Sequence, residues 1–152
     1  MAVFVGWFIR FLTMPNPEHK LQSECVIEFS RRYPEQRGRL IGYFAETKNP
    51  IEGALKLSLG LVRGVSDIIY FPPCGDSLGI EMKAKGTSHN VKHIIEQCEW
   101  LLSVPTHGCF CDSFELFFDI VEGRSTGISA RVILERLKKV KTKTVKWDEI
   151  SK

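Results

Sequence analysis

Three residues whose side chains take part in acid–base and metal chemistry lie close together in the sequence: Asp67, Glu81 and Lys83. Asp67 precedes the run Ile68 to Phe71, whose residues favour β-structure, and a turn rich in Pro and Gly follows. Residues 78 to 84 then continue as a second strand. This order predicts a β-hairpin that begins at Asp67 and returns through Glu81 and Lys83.

Side chains alternate along a strand, so Glu81 and Lys83 share one face while Ile80 and Met82 share the other. In an antiparallel pair that starts at Asp67, one carboxylate from each strand and one ammonium group converge on a single point. Two carboxylates held this close repel each other, and one of them keeps its proton unless a cation lies between them. The pattern therefore predicts a cation site beside a buried apolar face.

The predicted ligands are all oxygen atoms, which favours a hard divalent ion such as Mg²⁺ or Mn²⁺. Such an ion keeps several waters and often takes its remaining ligands from a phosphate. Lys83 adds a positive charge that can orient water or stabilise developing negative charge. Together these groups are suited to metal-assisted hydrolysis of a phosphodiester bond.

The order Asp, about a dozen residues, then Glu-x-Lys resembles the PD-(D/E)XK nuclease superfamily. The wider text Leu-Gly-Leu-Val-Arg-Gly-Val-Ser-Asp from Leu59 to Asp67, with Glu81-Met82-Lys83 and a later Gln97, resembles its VRR-NUC branch. The resemblance covers roughly residues 23 to 123 and departs from the superfamily pattern at Ser66, where the name has Pro. It implies a restriction-endonuclease-like core: a central mixed β-sheet flanked by helices.

The resemblance also implies a role for each residue. Asp67, Glu81 and the backbone carbonyl of Met82 would bind Mg²⁺ or Mn²⁺, and Lys83 would position or activate the water. Related nucleases carry a Glu on the first helix that reaches the metal, and Glu24 matches it as a ligand or supporting residue. They also carry a Gln on the helix after Glu-x-Lys, and Gln97 matches it.

The sequence predicts helices that would position these supporting residues. Asn16-Pro17 begins a helix that ends before Pro34, and at 100° per residue Glu24 falls on the margin of its apolar stripe. A second amphipathic helix is predicted from about His89 to Ser103, with Gln97 at the edge of its stripe and His93 one turn earlier.

Helices and strands alternate along the chain, which is typical of an α/β domain. Of the 152 residues, 43% are hydrophobic and 26% charged, as in an ordinary globular domain, and the net charge is +3. We predict an apolar N-terminal arm (1–15), a nuclease core (16–125) and a basic C-terminal helix and tail (126–152). Residues 131 to 146 include seven Lys or Arg and one Glu, so this basic end is a candidate phosphate-binding surface.

Five cysteines, without a secretory context, favour reduced buried thiols. A zinc site built from Cys109 and Cys111 with Cys74 or His107 is the alternative, although no second paired motif supports it. The apolar start of the chain is too short to span a bilayer and lacks the features of a signal peptide. We therefore expect no membrane association and a cytoplasmic location.

Two functions remain open. The first is a metal-dependent DNA endonuclease, which the resemblance implies to be a homodimer acting on branched DNA such as a Holliday junction. The second is a catalytically inactive nuclease fold that binds nucleic acid or a protein partner. A purely structural protein would leave the convergence of Asp67, Glu81 and Lys83 unexplained.

Overall fold

The computed structural model describes residues 16–44, 49–62, 64–103 and 107–152. The predicted N-terminal arm (1–15) and Arg63 of the VRR-NUC-like text lie outside these ranges. The described helices begin with α1 (Pro17–Arg32), which a short 3₁₀ turn (Pro34–Gln36) follows. The others are α2 (Pro50–Ser58), α3 (Val91–Ser103), α4 (Phe114–Val121), α5 (Ala130–Leu137) and α6 (Trp147–Ile150).

A five-stranded mixed sheet forms the centre of the domain. Its strands are β1 (Leu40–Gly42), β2 (Ile68–Tyr70), β3 (Leu78–Met82), β5 (His107–Cys111) and β6 (Ile128–Ser129), in the order β1-β2-β3-β5-β6. Neighbouring strands are antiparallel except β3 and β5, which are parallel. With helices on both faces, this confirms the predicted α/β class and central mixed sheet.

Polar caps set the starts of three helices. The Asn16 side chain accepts a hydrogen bond from the amide of Glu18 at 2.9 Å, and the Asn49 side chain accepts one from Glu52 at 2.9 Å. The Ser113 hydroxyl accepts a hydrogen bond from the amide of Leu116 at 3.2 Å. Each cap satisfies an amide that has no partner within its helix, which fixes where the helix begins.

Two apolar clusters lie on opposite sides of the sheet, as the alternation along β5 shows. Cys109 and Cys111 belong to the cluster beneath α1 and α4, whereas Phe110 belongs to the cluster that contains α3 and α5. The second cluster also contains Trp147, which is fully buried. Residues 126–152 therefore share a core with the rest of the domain.

The C-terminal segment forms a second sheet: β4 (Ser88–Asn90) pairs antiparallel with β7 (Thr144–Lys146). The helix predicted from about His89 to Ser103 is present, but it begins two residues later, because residues 88 to 90 form this strand. Asn90 ends the strand, and its side chain accepts a hydrogen bond from the amide of Lys92 at 2.9 Å, so α3 begins at Val91. Among the described helices, none is long and apolar enough to cross a lipid bilayer.

Candidate active site

The β2–β3 pair brings Asp67 to Glu81. Ile68 lies opposite Ile80 in this antiparallel ladder, so the next position places Asp67 opposite Glu81 on the same face. Oδ2 of Asp67 accepts a hydrogen bond from the amide of Met82 at 2.8 Å. This bond fixes the Asp67 carboxylate against β3, on the face that carries Glu81.

Lys83 completes the predicted convergence. Its Nζ lies 2.9 Å from Oε1 of Glu81, and the side chains of both residues are 2% exposed. A buried charged pair is costly to desolvate and is rarely kept for stability alone. The structure therefore brings Asp67, Glu81 and Lys83 together on the face of β3 opposite Ile80 and Met82.

The acidic residue that the first helix contributes to this cluster is Glu18. Its Oε1 lies 4.0 Å from Nζ of Lys83. Glu24 is not brought into the cluster, since in the described chain no hydrogen bond or ion pair joins it to Asp67, Glu81 or Lys83. The reason is helical phase: Glu24 follows Glu18 by six residues, which turns it about 240° around the helix axis.

Gln97 reaches the cluster from α3. Its Nε2 donates a hydrogen bond to Oε1 of Glu81, the oxygen that also accepts from Lys83. The same Nε2 lies 3.1 Å from Nε2 of His93, one turn earlier on the helix. Gln97 therefore orients the Glu81 carboxylate, and His93 borders Gln97 from the more exposed side.

His89 also belongs to the site, and no local sequence pattern indicated it. Its Nε2 lies 3.2 Å from Oε1 of Glu18 and 2.6 Å from the Thr87 hydroxyl, which in turn donates to the carbonyl of Ala84. Burial and the nearby Lys83 charge lower the pKa of His89 to about 4, so its ring is neutral at pH 7. His89 was missed because its position depends on the long-range pairing of β4 with β7.

The electrostatics follow from three carboxylates around one ammonium group. Burial, with a contribution from the adjacent Asp67 carboxylate, raises the pKa of Glu81 to about 8 despite the opposing effect of Lys83. Burial disfavours the charged form of Lys83, but the Glu81 and Glu18 carboxylates outweigh it, so the net shift of the Lys83 pKa is upward. The cluster therefore places three carboxyl groups around one ammonium group, and the pKa values of Glu18 and Glu81 are both raised.

The residues present fit a divalent cation. Oε2 of Glu81 and Oε1 of Glu18 are buried and lack a hydrogen-bond partner among the described residues, and buried acceptors of this kind normally have one. The described residues contain no group of three or more His, Cys, Asp or Glu side chains arranged to hold a metal ion. Mg²⁺ needs only one or two carboxylates, because waters and phosphate oxygens supply its other ligands. Asp67 and Glu81 meet that requirement.

The cysteines are spread through the fold. Cys25, Cys98, Cys109 and Cys111 are buried free thiols, whereas Cys74 is exposed. Burial raises the pKa of Cys109 and of Cys111 to about 12, which keeps them protonated. These findings agree with the prediction of buried reduced thiols for four of the five cysteines.

A cleft of about 310 Å³ lies at the other end of α1, lined by residues that include Phe29, Tyr33, Gln36 and Arg37. None of its lining residues is Asp or Glu. The cleft is therefore separate from the carboxylate cluster, and it offers no comparable chemistry.

No family model matches the chain, and neither a curated protein nor a solved structure is significantly similar to it. The chemistry of the cluster must therefore be inferred from its own geometry.

Proposed function

We propose that this chain is a metal-dependent endodeoxyribonuclease with a restriction-endonuclease-like core, of the VRR-NUC branch of the PD-(D/E)XK superfamily. One observation carries the proposal: Asp67 and Glu81 face each other across adjacent strands, with the Lys83 ammonium group 2.9 Å from Glu81. This is the juxtaposition that the Asp…Glu-x-Lys pattern requires.

Each residue then has a defined task. Asp67 and Glu81, with the carbonyl of Met82, would hold Mg²⁺ or Mn²⁺. When bound, the ion neutralises phosphate charge and makes water a stronger nucleophile. Lys83, whose pKa is raised, acts as a fixed cation that orients the water and stabilises charge on the phosphate rather than as a base. Gln97 orients Glu81 through its hydrogen bond.

Glu18 takes the supporting role that the sequence pattern had suggested for Glu24. It lies 4.0 Å from Lys83, and Oε1 of Glu18 has no hydrogen-bond partner in the described chain. Burial, followed by the effect of nearby Asp67, raises the pKa of Glu18 despite the Lys83 charge. A buried carboxylate in this state is available to a water or a cation.

The resemblance further suggests branched DNA, such as a Holliday junction, as substrate and a homodimer as the active form. Two copies related by symmetry would address two strands of a junction. Sedimentation at micromolar concentration tests the dimer, which predicts a mass twice the 17.3 kDa of the chain. A monomer that cuts DNA would remove the dimer from the proposal and leave the chemistry intact.

A catalytically inactive module that binds nucleic acid or a protein is the second candidate, and one observation favours it. Glu81 and Lys83 are only 1% and 2% exposed, whereas Asp67 and Glu18 are half-buried, so little of the cluster is open to a phosphate. A buried cluster of this kind is expected in a fold that has kept the polar residues of the site but no longer catalyses a reaction.

Cleavage of a labelled four-way junction, beside duplex and single strand of the same sequence, distinguishes the two candidates. The reactions contain Mg²⁺, Mn²⁺ or EDTA, and they compare the wild type with Lys83→Ala and with the matched surface control Lys139→Ala. The nuclease predicts metal-dependent cutting that Lys83→Ala abolishes and Lys139→Ala retains. Binding without cutting in either metal would support the inactive module.

A further inference from the structure

Beside the candidate active site lies a two-stranded ribbon formed by β4 and β7. Its central pair is turned towards the core, with Val145 buried and His89 half-buried, whereas the residues on either side are exposed. The ribbon therefore has an inner face and a solvent face. The cross-strand pairs are Ser88 with Lys146, His89 with Val145, and Asn90 with Thr144.

The charged residues of the ribbon strands and of the segments that enter them are lysines, and the first acidic residue after the ribbon is Asp148. Residues 85–92 and 141–146 contain five lysines and no Asp or Glu, and all five lysines are exposed. Among the described residues none of them forms an ion pair. The nearest acidic residue in sequence, Asp148, instead accepts a hydrogen bond from the amide of Gly86 at 2.8 Å. The five are Lys85, Lys92, Lys141, Lys143 and Lys146.

The ribbon borders the cluster directly. His89, on its inner face, lies 3.2 Å from Oε1 of Glu18, and the same oxygen lies 4.0 Å from Nζ of Lys83. The ribbon therefore packs against the cluster through its inner face, and its five exposed lysines lie within four residues in sequence of His89 or of the cross-strand partner Val145.

The side chains of the solvent face match a sugar–phosphate backbone. Ser88, Asn90 and Thr144 offer short polar groups between lysines, and these are the residue types that contact phosphate and sugar. The solvent face carries no large apolar side chain of the kind that inserts into a lipid surface. Lys146 lies on this face with Thr144, whereas Lys143 immediately precedes the strand.

We infer that the exposed residues of the β4–β7 ribbon and of the segments that flank it, chiefly Lys85, Lys92, Lys143 and Lys146, hold the phosphate backbone of the nucleic acid that the site acts on. The inference rests on the proposed function and adds to it the surface that positions the substrate. Of the basic C-terminal residues, it assigns this role to those on the ribbon and not to those of α5.

The test uses the full chain carrying Glu81→Gln to prevent cleavage, with Lys143→Gln and Lys146→Gln added. The control carries Arg37→Gln and Arg131→Gln, which remove the same charge from exposed positions on other elements. Affinity for a fluorescent DNA duplex is measured at several salt concentrations. The ribbon variant should bind about tenfold or more weakly at 0.1 M salt, and its log–log salt slope should fall by about 1.8. The control variant should keep the affinity and the salt slope of the parent protein.

Equal binding by the ribbon variant and the control would overturn the inference, as would an absence of DNA binding by the parent protein. So would a ribbon variant that loses binding to vesicles containing phosphatidylserine while retaining DNA binding. Wild-type cleavage is assayed separately. Weaker DNA binding by the ribbon variant, with no cleavage by the wild type, would support the ribbon as a DNA-binding surface and refute the nuclease. Cleavage by the wild type, with unaltered DNA binding by the ribbon variant, would support the nuclease and refute the role of the ribbon.

Discussion

The two faces of β3 are equally buried and chemically opposite. Ile80 and Met82 are fully buried in the apolar cluster under α1 and α4, while Glu81 and Lys83 are 1% and 2% exposed on the other face. Burial of each apolar side chain stabilises the fold by about 1.5–3 kcal/mol. Burial of a charged pair generally gives no such gain, because desolvation offsets the Coulomb attraction. One face of the strand thus serves the fold, and the other is best explained by function.

Glu81→Gln should abolish the function of the polar face. Removing one carboxylate charge takes away a proposed metal ligand, so cleavage should fall by about 10³-fold. The fold should persist, because the amide keeps the shape of the side chain and can still bond Gln97. Single-turnover cleavage rates measure the loss. Near wild-type rates would remove Glu81 from the mechanism.

Met82→Ala, on the opposite face, should destabilise the fold and leave cleavage nearly unchanged. A cavity among buried apolar side chains should lower the free energy of unfolding by about 2–5 kcal/mol. Cleavage per folded molecule should stay close to that of the wild type, since the Met82 backbone amide still bonds Asp67. Urea unfolding measures the free energy of unfolding. Cleavage assays at urea concentrations below the unfolding transition measure the activity per folded molecule. Loss of cleavage without loss of stability would contradict the separation of the two faces.

Glu18→Gln and Glu24→Gln form a matched pair on one helix. Glu18→Gln should reduce cleavage about 10- to 100-fold, the usual effect of a residue that supports a metal site. Glu24→Gln should leave the rate unchanged, because the structure does not join Glu24 to the cluster. If the effects were reversed, the assignment of Glu18 would be wrong.

His89→Asn should produce the smallest change, seen as a dependence of stability on pH. The folded protein holds the pKa of His89 at about 4, below its ordinary value of 6.5. The unfolded chain therefore binds a proton that the folded chain resists, and stability falls as pH drops from 6.5 towards 4. Urea unfolding at several pH values should show a shallower fall for the variant. An identical pH dependence would mean that folding does not lower the pKa of His89.

What the sequence could predict was local. The alternation along β3 and the hairpin before it placed Asp67, Glu81 and Lys83 correctly, and the stripe of α3 placed Gln97 at its edge. The position of Glu18 depends on how α1 is rotated about its axis against the sheet. That rotation, which places Gln22 on the buried face of the helix, is set by tertiary packing and not by the local sequence. The pairing of β4 with β7 joins segments far apart in the chain, so no local pattern could indicate it.

The most direct test of the central claim is whether the polar face of β3 binds a divalent cation. Mn²⁺ is titrated into the wild type and into Asp67→Asn, Glu81→Gln and Glu24→Gln, and free Mn²⁺ is followed by electron paramagnetic resonance. Saturable binding that Asp67→Asn and Glu81→Gln abolish and Glu24→Gln retains is the predicted result. Equal Mn²⁺ binding by all four proteins, or none by the wild type, would contradict a metal site between Asp67 and Glu81.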